Sequence, residues 1–233
     1  MIPNPTLNIW ARTRDSLYGL YEKRAANAAP ELDCHVQAAD IYTRFHQEGD
    51  TVLDAGGGSG YFYWSLKRRD LSIHYHLLDY TADFLDIGRR ALSAEKPRPA
   101  FIHNSIQQAS GSYKAVFCLN TLFCLPDYRQ GLEALLNATE KMILIRTPLS
   151  EENLIRYETD KYLDPGAENL KSYFNIWRIE EVNAFVRDCG FTVSNPVDLR
   201  TMDQGEMSAG KLFPWRWLLG VKNCTTAQAV SQK

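Results

Sequence analysis

From Thr51 onward the chain alternates short apolar runs with amphipathic segments. The runs at 51–54, 72–79, 100–104, 115–120 and 142–147 predict five strands. Between them, 61–69, 83–92 and 127–139 are each long enough for two or more helical turns. Strand and helix in alternation imply crossover units, hence a doubly wound, mostly parallel α/β sheet of Rossmann-like type with helices on both faces. Upstream, Leu17, Leu20, Tyr21 and Arg24 recur at spacings of three and four and predict a helix within residues 7–29. Residues 1–45 are therefore expected to form an N-terminal helical extension, or lid, ahead of a domain at 46–222. Downstream, an aromatic insertion at 148–178 precedes a helix at 179–189 closed by Gly190. Strands at 191–197 and 212–221 are expected to pair antiparallel at the sheet edge, and the tail at 223–233 is expected to be mobile.

Composition narrows the class of partner. With 45% hydrophobic and 12% aromatic residues, 233 residues suffice for one substantial core. Lys plus Arg (26) nearly balance Asp plus Glu (28) for a formal charge of -2, so no whole-molecule field favours nucleic acid. No apolar window is long enough for a membrane span, and the amino terminus lacks the layout of a secretion signal, so a cytoplasmic protein is expected. Five cysteines without a Cys-x-x-Cys pair argue for free thiols, and His74 with His76 reads as a strand pair sharing one face rather than a metal site.

The sharpest signal is the run Asp54-Ala55-Gly56-Gly57-Gly58-Ser59-Gly60 between the first strand and a helix. A turn so poor in side chains lets a ligand touch main-chain N–H groups. The dinucleotide fingerprint would require glycine where Tyr61 stands, and no phosphate-cradling Gly-x-x-x-x-Gly-Lys-Ser/Thr loop is present. Asp54 at the strand tip would repel a pyrophosphate but suits a ligand bearing an ammonium and a sulfonium. The second strand ends in Asp79-Tyr80, which places an acid where ribose hydroxyls are bound in doubly wound sheets and a ring that can lie on a purine.

These residues resemble the class I S-adenosylmethionine-dependent methyltransferases over roughly residues 46–222. The resemblance implies a seven-stranded sheet with an antiparallel last strand, and S-adenosylmethionine as cofactor. It implies that Asp54, Gly56, Gly57, Gly58 and Gly60 hold the methionine part, Asp79 and Tyr80 the ribose and adenine, Asn104 or Ser105 the adenine amino group, and Asn120 the fourth strand tip.

Absences bear on the acceptor. The stretch after the fourth strand carries no Asp/Asn-Pro-Pro-aromatic clamp for a nucleobase and no paired glutamates for guanidinium. Asn120 stands where catechol-type enzymes place magnesium-binding acids. A small-molecule acceptor without metal is expected, most simply an oxygen of a sugar or secondary metabolite, with Tyr18, Tyr21, Arg146, Tyr173 and Trp177 as candidates to line its site. No general base stands out, because a sulfonium already activates the methyl group. A non-catalytic scaffold of the same fold is the alternative. Oligomeric state is open.

Overall fold

The computed structural model describes residues 9–12, 15–159, 169–208 and 210–223. A 3-10 turn (Ile9–Arg12) leads to α1 (Asp15–Ala25) and α2 (Asp33–Thr43). The central segments then alternate as β1 (Asp50–Ala55), α3 (Phe62–Lys67), β2 (Ile73–Asp79), α4 (Ala82–Ala91), β3 (Ala100–His103), β4 (Tyr113–Leu119), α5 (Arg129–Asn137) and β5 (Thr139–Ser150). The carboxyl-terminal part carries β6 (Tyr157–Thr159), β7 (Lys171–Tyr173), β8 (Trp177–Arg178), α6 (Ile179–Asp188), β9 (Phe191–Ser194), β10 (Glu206–Ser208), β11 (Lys211–Phe213) and β12 (Trp215–Lys222).

The main sheet runs in the order β3-β2-β1-β4-β5-β12-β9, with the two-residue β8 added beside β5. β1 to β5 are mutually parallel, and β12 runs antiparallel to both of its neighbours. The expected antiparallel pair closes one edge of the sheet, with β9 outermost and β12 between it and β5. β12 starts later than the apolar pattern suggests, because Leu212 belongs to the separate β10/β11 hairpin. β5 passes through Pro148 instead of stopping at Thr147. Leu149 beyond it donates its N–H to Pro214 at 3.0 Å, so the ladder resumes one residue after the missing donor. The insertion folds as a two-stranded β6/β7 ribbon around residues 160–168, which lie outside the described residues, as does the tail beyond Asn223.

Strand alternation sorts the interior into two cores, one on each face of the sheet. Val116, Cys118, Ile143 and Ile145 pack against Leu132 and Leu135 of α5 and Val182 and Val186 of α6. Their neighbours Ala115, Phe117, Met142 and Leu144 pack on the other face against α2, α3 and Leu85 of α4. α2 is thus a core helix, with Ala38 and Ala39 fully buried. Among the described residues no helix is long and apolar enough to cross a membrane. Gly220 in β12 lies where an added Cβ would meet Ile143 at 2.9 Å and Val186 at 3.2 Å. Gly220→Ala is expected to destabilise the fold by about 1–3 kcal/mol, read as a lower urea midpoint with an unchanged slope.

Candidate functional site

A cleft of about 460 Å3 opens where β1, β2 and β4 end, at the point where strand order reverses between β1 and β4. Its floor is the glycine turn after β1. Gly56 and Gly58 adopt φ of 73° and 60°, a region closed to most side chains, and a Cβ on Gly57 would fall 2.2 Å from Asp54 Oδ2. The bare turn is therefore imposed by the acid folded beneath it as well as by its backbone.

Two buried carboxylates organise this end. Asp79 at the tip of β2 accepts the N–H of Gly58 through Oδ2 and the N–H of Thr81 through Oδ1, both at 2.8 Å. Burial raises its pKa, and backbone N–H groups from Thr81 and Gly58 act against the rise. Asp54 accepts the Tyr75 hydroxyl at 2.5 Å. Burial pushes Asp54 up to about 7, the Tyr75 bond opposes this, and the charge of Asp79 adds to it.

α1 roofs the glycine turn. Ser59 Oγ donates to the carbonyl of Tyr21 at 3.0 Å, and Trp64 Nε1 donates to that of Ala25 at 2.7 Å. The Tyr21 ring stacks on Phe84 of α4 at 4.2 Å between centroids and also lies against Gly58. Behind it, His35 of α2 stacks on Tyr61 at 4.8 Å. Burial, then the charges of Arg24 and Arg146, lower the His35 pKa to about 3, so it faces the cleft as a neutral imidazole.

At the tip of β4, Asn120 adopts φ of 59° and its Oδ1 accepts a bond from Arg146 Nη1 at 2.7 Å. Asn120 Nδ2 points to Cys34 Sγ at 3.8 Å. Arg146 is itself 3% exposed, with Nε 2.5 Å from Asp198 Oδ2 and its guanidinium carbon 4.5 Å from the Trp215 ring centroid. It orients Asn120 from behind and does not border the cleft.

The structure divides the expected site residues as follows. Asp54, Gly56, Gly57, Gly58, Asp79, Tyr80, Ser105, Asn120, Tyr21 and Tyr173 all border the cleft. Gly60 lies beyond the lining and packs toward Leu77 and Leu92. Asn104 turns back on the chain, its Oδ1 accepting the N–H of Ser105 at 2.9 Å. Tyr18 bonds Asp83 at 3.2 Å and leans on Phe84 outside the lining. Trp177 belongs to the core, packed on Tyr128 at 5.2 Å. Residues that sequence reasoning did not single out also line the cleft: Thr121, which follows Asn120 directly, Gln107, which follows Ser105 by two, and Lys171 and Ser172 on β7. The first two follow strand tips, a position that flags a site. The last two sit in a three-residue strand that leaves no periodic signal. Among the described residues no group of three His, Cys, Asp or Glu side chains clusters as a metal site.

The site's chemistry fits an adenosyl amino acid. Its two acids could satisfy an ammonium, a sulfonium or ribose hydroxyls, and its bare main chain permits close approach.

Residues 53–141 match the family model described as a methyltransferase domain. Among curated proteins none matches the sequence. Among solved structures, magnesium protoporphyrin IX methyltransferase (ChlM) from Synechocystis PCC 6803 with bound SAM aligns at TM-score 0.58 and 15% identity, covering 88% of this chain and 91% of its own. The 1,6-didemethyltoxoflavin-N1-methyltransferase of Burkholderia thailandensis, with its acceptor and S-adenosylhomocysteine bound, aligns at 0.54 and 14%, covering 82% and 79%. The glycopeptide N-methyltransferase MtfA complexed with sinefungin aligns at 0.55 and 13%, covering 81% and 94%. At these identities the structural likeness speaks for the fold alone. Over residues 53–141 the chain is thus similar to the methyltransferase-domain family, and as a whole it shares the fold of these solved structures.

Proposed function

We propose that this protein transfers a methyl group from S-adenosylmethionine to a small-molecule acceptor held under α1 and against the β6/β7 ribbon, by in-line displacement. The observation that carries the reading is the pair Asp54 and Asp79 flanking a bare glycine turn in a cleft closed by a helix and a ribbon. Asp54 and the main chain of Gly56, Gly57 and Gly58 would hold the methionine part. Asp79 keeps lone pairs for ribose hydroxyls beyond the two amide bonds it already accepts, and Tyr80, Ser105 and Gln107 flank the adenine position. When bound, the cofactor would supply a methyl group already activated on a sulfonium: an acceptor lone pair would take the methyl, the sulfur would be left as a thioether, and the acceptor's proton would be lost to bulk solvent on release.

The protein's part is to orient and to exclude water. Arg146 fixes the Asn120 amide at the strand tip, and neutral His35 stands at the cleft without adding a charge beside the sulfonium site. The acids of the lining both belong to the cofactor end, so none stands near the ribbon. An oxygen of a sugar or secondary metabolite is an acceptor of suitable size. The fold neighbours act on a magnesium porphyrin, a toxoflavin precursor and a glycopeptide by their own names, which agrees with a family range of small and medium acceptors.

Calorimetry with S-adenosylhomocysteine tests this reading, and folded protein that gives no heat of binding would count against it. Asp79→Asn is expected to weaken binding by about 1.5–3 kcal/mol through lost bonds to hydroxyls, and unchanged affinity would remove Asp79 from that role.

A pH dependence follows from Asp54. Its folded pKa is raised, so the ligand-free protein holds a proton there below about pH 7 that the unfolded chain has already lost. This contribution to stability is present at low pH and disappears as pH rises through about 7. A bound ammonium favours the ionised carboxylate, so adenosylhomocysteine binding is expected to expel that proton and to tighten from about pH 5 up to 7, then level off. Calorimetry in buffers of different ionisation enthalpy reads the released proton directly, and Asp54→Asn is expected to abolish it.

A further inference from the structure

The cleft has two electrostatic ends. Asp54 and Asp79 stand at the glycine turn, while Lys171, the one lysine or arginine among the described residues of the lining, stands on β7 at the other wall. β7 pairs with β6 so that Tyr157 lies opposite Tyr173 and Thr159 opposite Lys171. The two tyrosine rings are 4.6 Å apart, and Lys171 Nζ lies 6.0 Å from the Tyr157 ring centroid. Lys171 makes no ion pair among the described residues, unlike Lys211 nearby, which bonds Glu158 at 2.9 Å. Lys171 and Tyr173 share one face of β7, and Ser172 between them turns to the opposite, buried side.

The ribbon is held in place rather than left to swing. Asn175, fully buried at its base, donates Nδ2 to the Leu125 carbonyl at 2.7 Å and its N–H to the Phe123 carbonyl at 3.1 Å. Its Oδ1 accepts the Arg156 N–H at 2.9 Å. One side chain thus ties both strands' approaches to the segment after β4, where Leu125 and Pro126 give the cleft an apolar wall. Trp10 of the amino-terminal turn adds an aromatic surface.

Resting on the methyltransferase reading, we propose that this end of the cleft selects an aromatic acceptor bearing a carboxylate or similar anionic oxygen. Its ring packs on the Tyr157 and Tyr173 pair, and its anionic oxygen meets Lys171. The acceptor's charge is then opposite in sign to that of the cofactor, and each end of the cleft repels the other's ligand. The anchored oxygen lies at the ribbon, so the atom that receives the methyl is a second polar group of the same molecule, directed toward the tip of β4.

The test is calorimetry on the full chain saturated with S-adenosylhomocysteine, using 6-hydroxy-2-naphthoate and its neutral carboxamide as probes. The naphthoate is expected to bind at least about fivefold more tightly than the carboxamide. Lys171→Met is expected to erase that preference, with adenosylhomocysteine affinity unchanged. Equal binding of the two probes, binding of neither, or a preference that survives Lys171→Met would overturn the proposal. Failure of the folded wild-type chain to bind adenosylhomocysteine at all would overturn the methyltransferase reading, and this proposal with it.

Discussion

The carboxylate of Asp79 is the joint on which the site depends. It is 8% exposed at the end of β2, and a buried carboxylate without donors would be costly. The N–H groups of Gly58 and Thr81 supply those donors, one from the glycine turn after β1 and one from the residue that leads into α4. A single side chain therefore fixes two loops from neighbouring parallel strands against each other. Asp54, folded under Gly57 and bonded to Tyr75, supports the same turn from below. Because both supports are acids, the scaffold that shapes the turn also sets its charge preference, and a diphosphate is disfavoured where a sulfonium and an ammonium are welcome.

The rest of the architecture places material around that joint. The reversal of strand order between β1 and β4 opens the crevice, and helices on both faces of the sheet leave only its carboxyl edge free for a ligand. α1 closes one side through main-chain bonds from Ser59 and Trp64, so the roof is attached to the turn it covers. The ribbon closes another, and Asn175 makes that wall part of the β4 tip. Arg146 carries the same logic into the core. Its pairing with Asp198, far along the chain, stiffens the arm that orients Asn120.

What could be read from the sequence was whatever is encoded locally. The alternation of strands and helices, the glycine turn and Asp79 after the second strand are patterns within a few residues, and they placed five parallel strands and the acid-lined turn at their carboxyl ends. What escaped depends on partners distant in the chain. Arg146 looks like a charge at a strand tip until Asp198 and Trp215 are seen to bury it. Trp177 and Tyr18 look like aromatics available to a ligand until Tyr128 and Phe84 are seen to cover them. Asn104 and Ser105 cannot be told apart by type, and only the bond between them turns one away from the cleft. The interior position of β12 is equally invisible, since its pattern is the same beside one neighbour or between two.

The central claim is that the turn between β1 and α3 accepts a cationic adenosyl amino acid and rejects an anionic dinucleotide. Equilibrium dialysis of the intact protein against S-adenosylmethionine and, separately, NADH tests it most directly. The expected result is saturable retention of S-adenosylmethionine with no retention of NADH at the same concentration. Saturable binding of NADH with S-adenosylmethionine left in the bath would contradict the account.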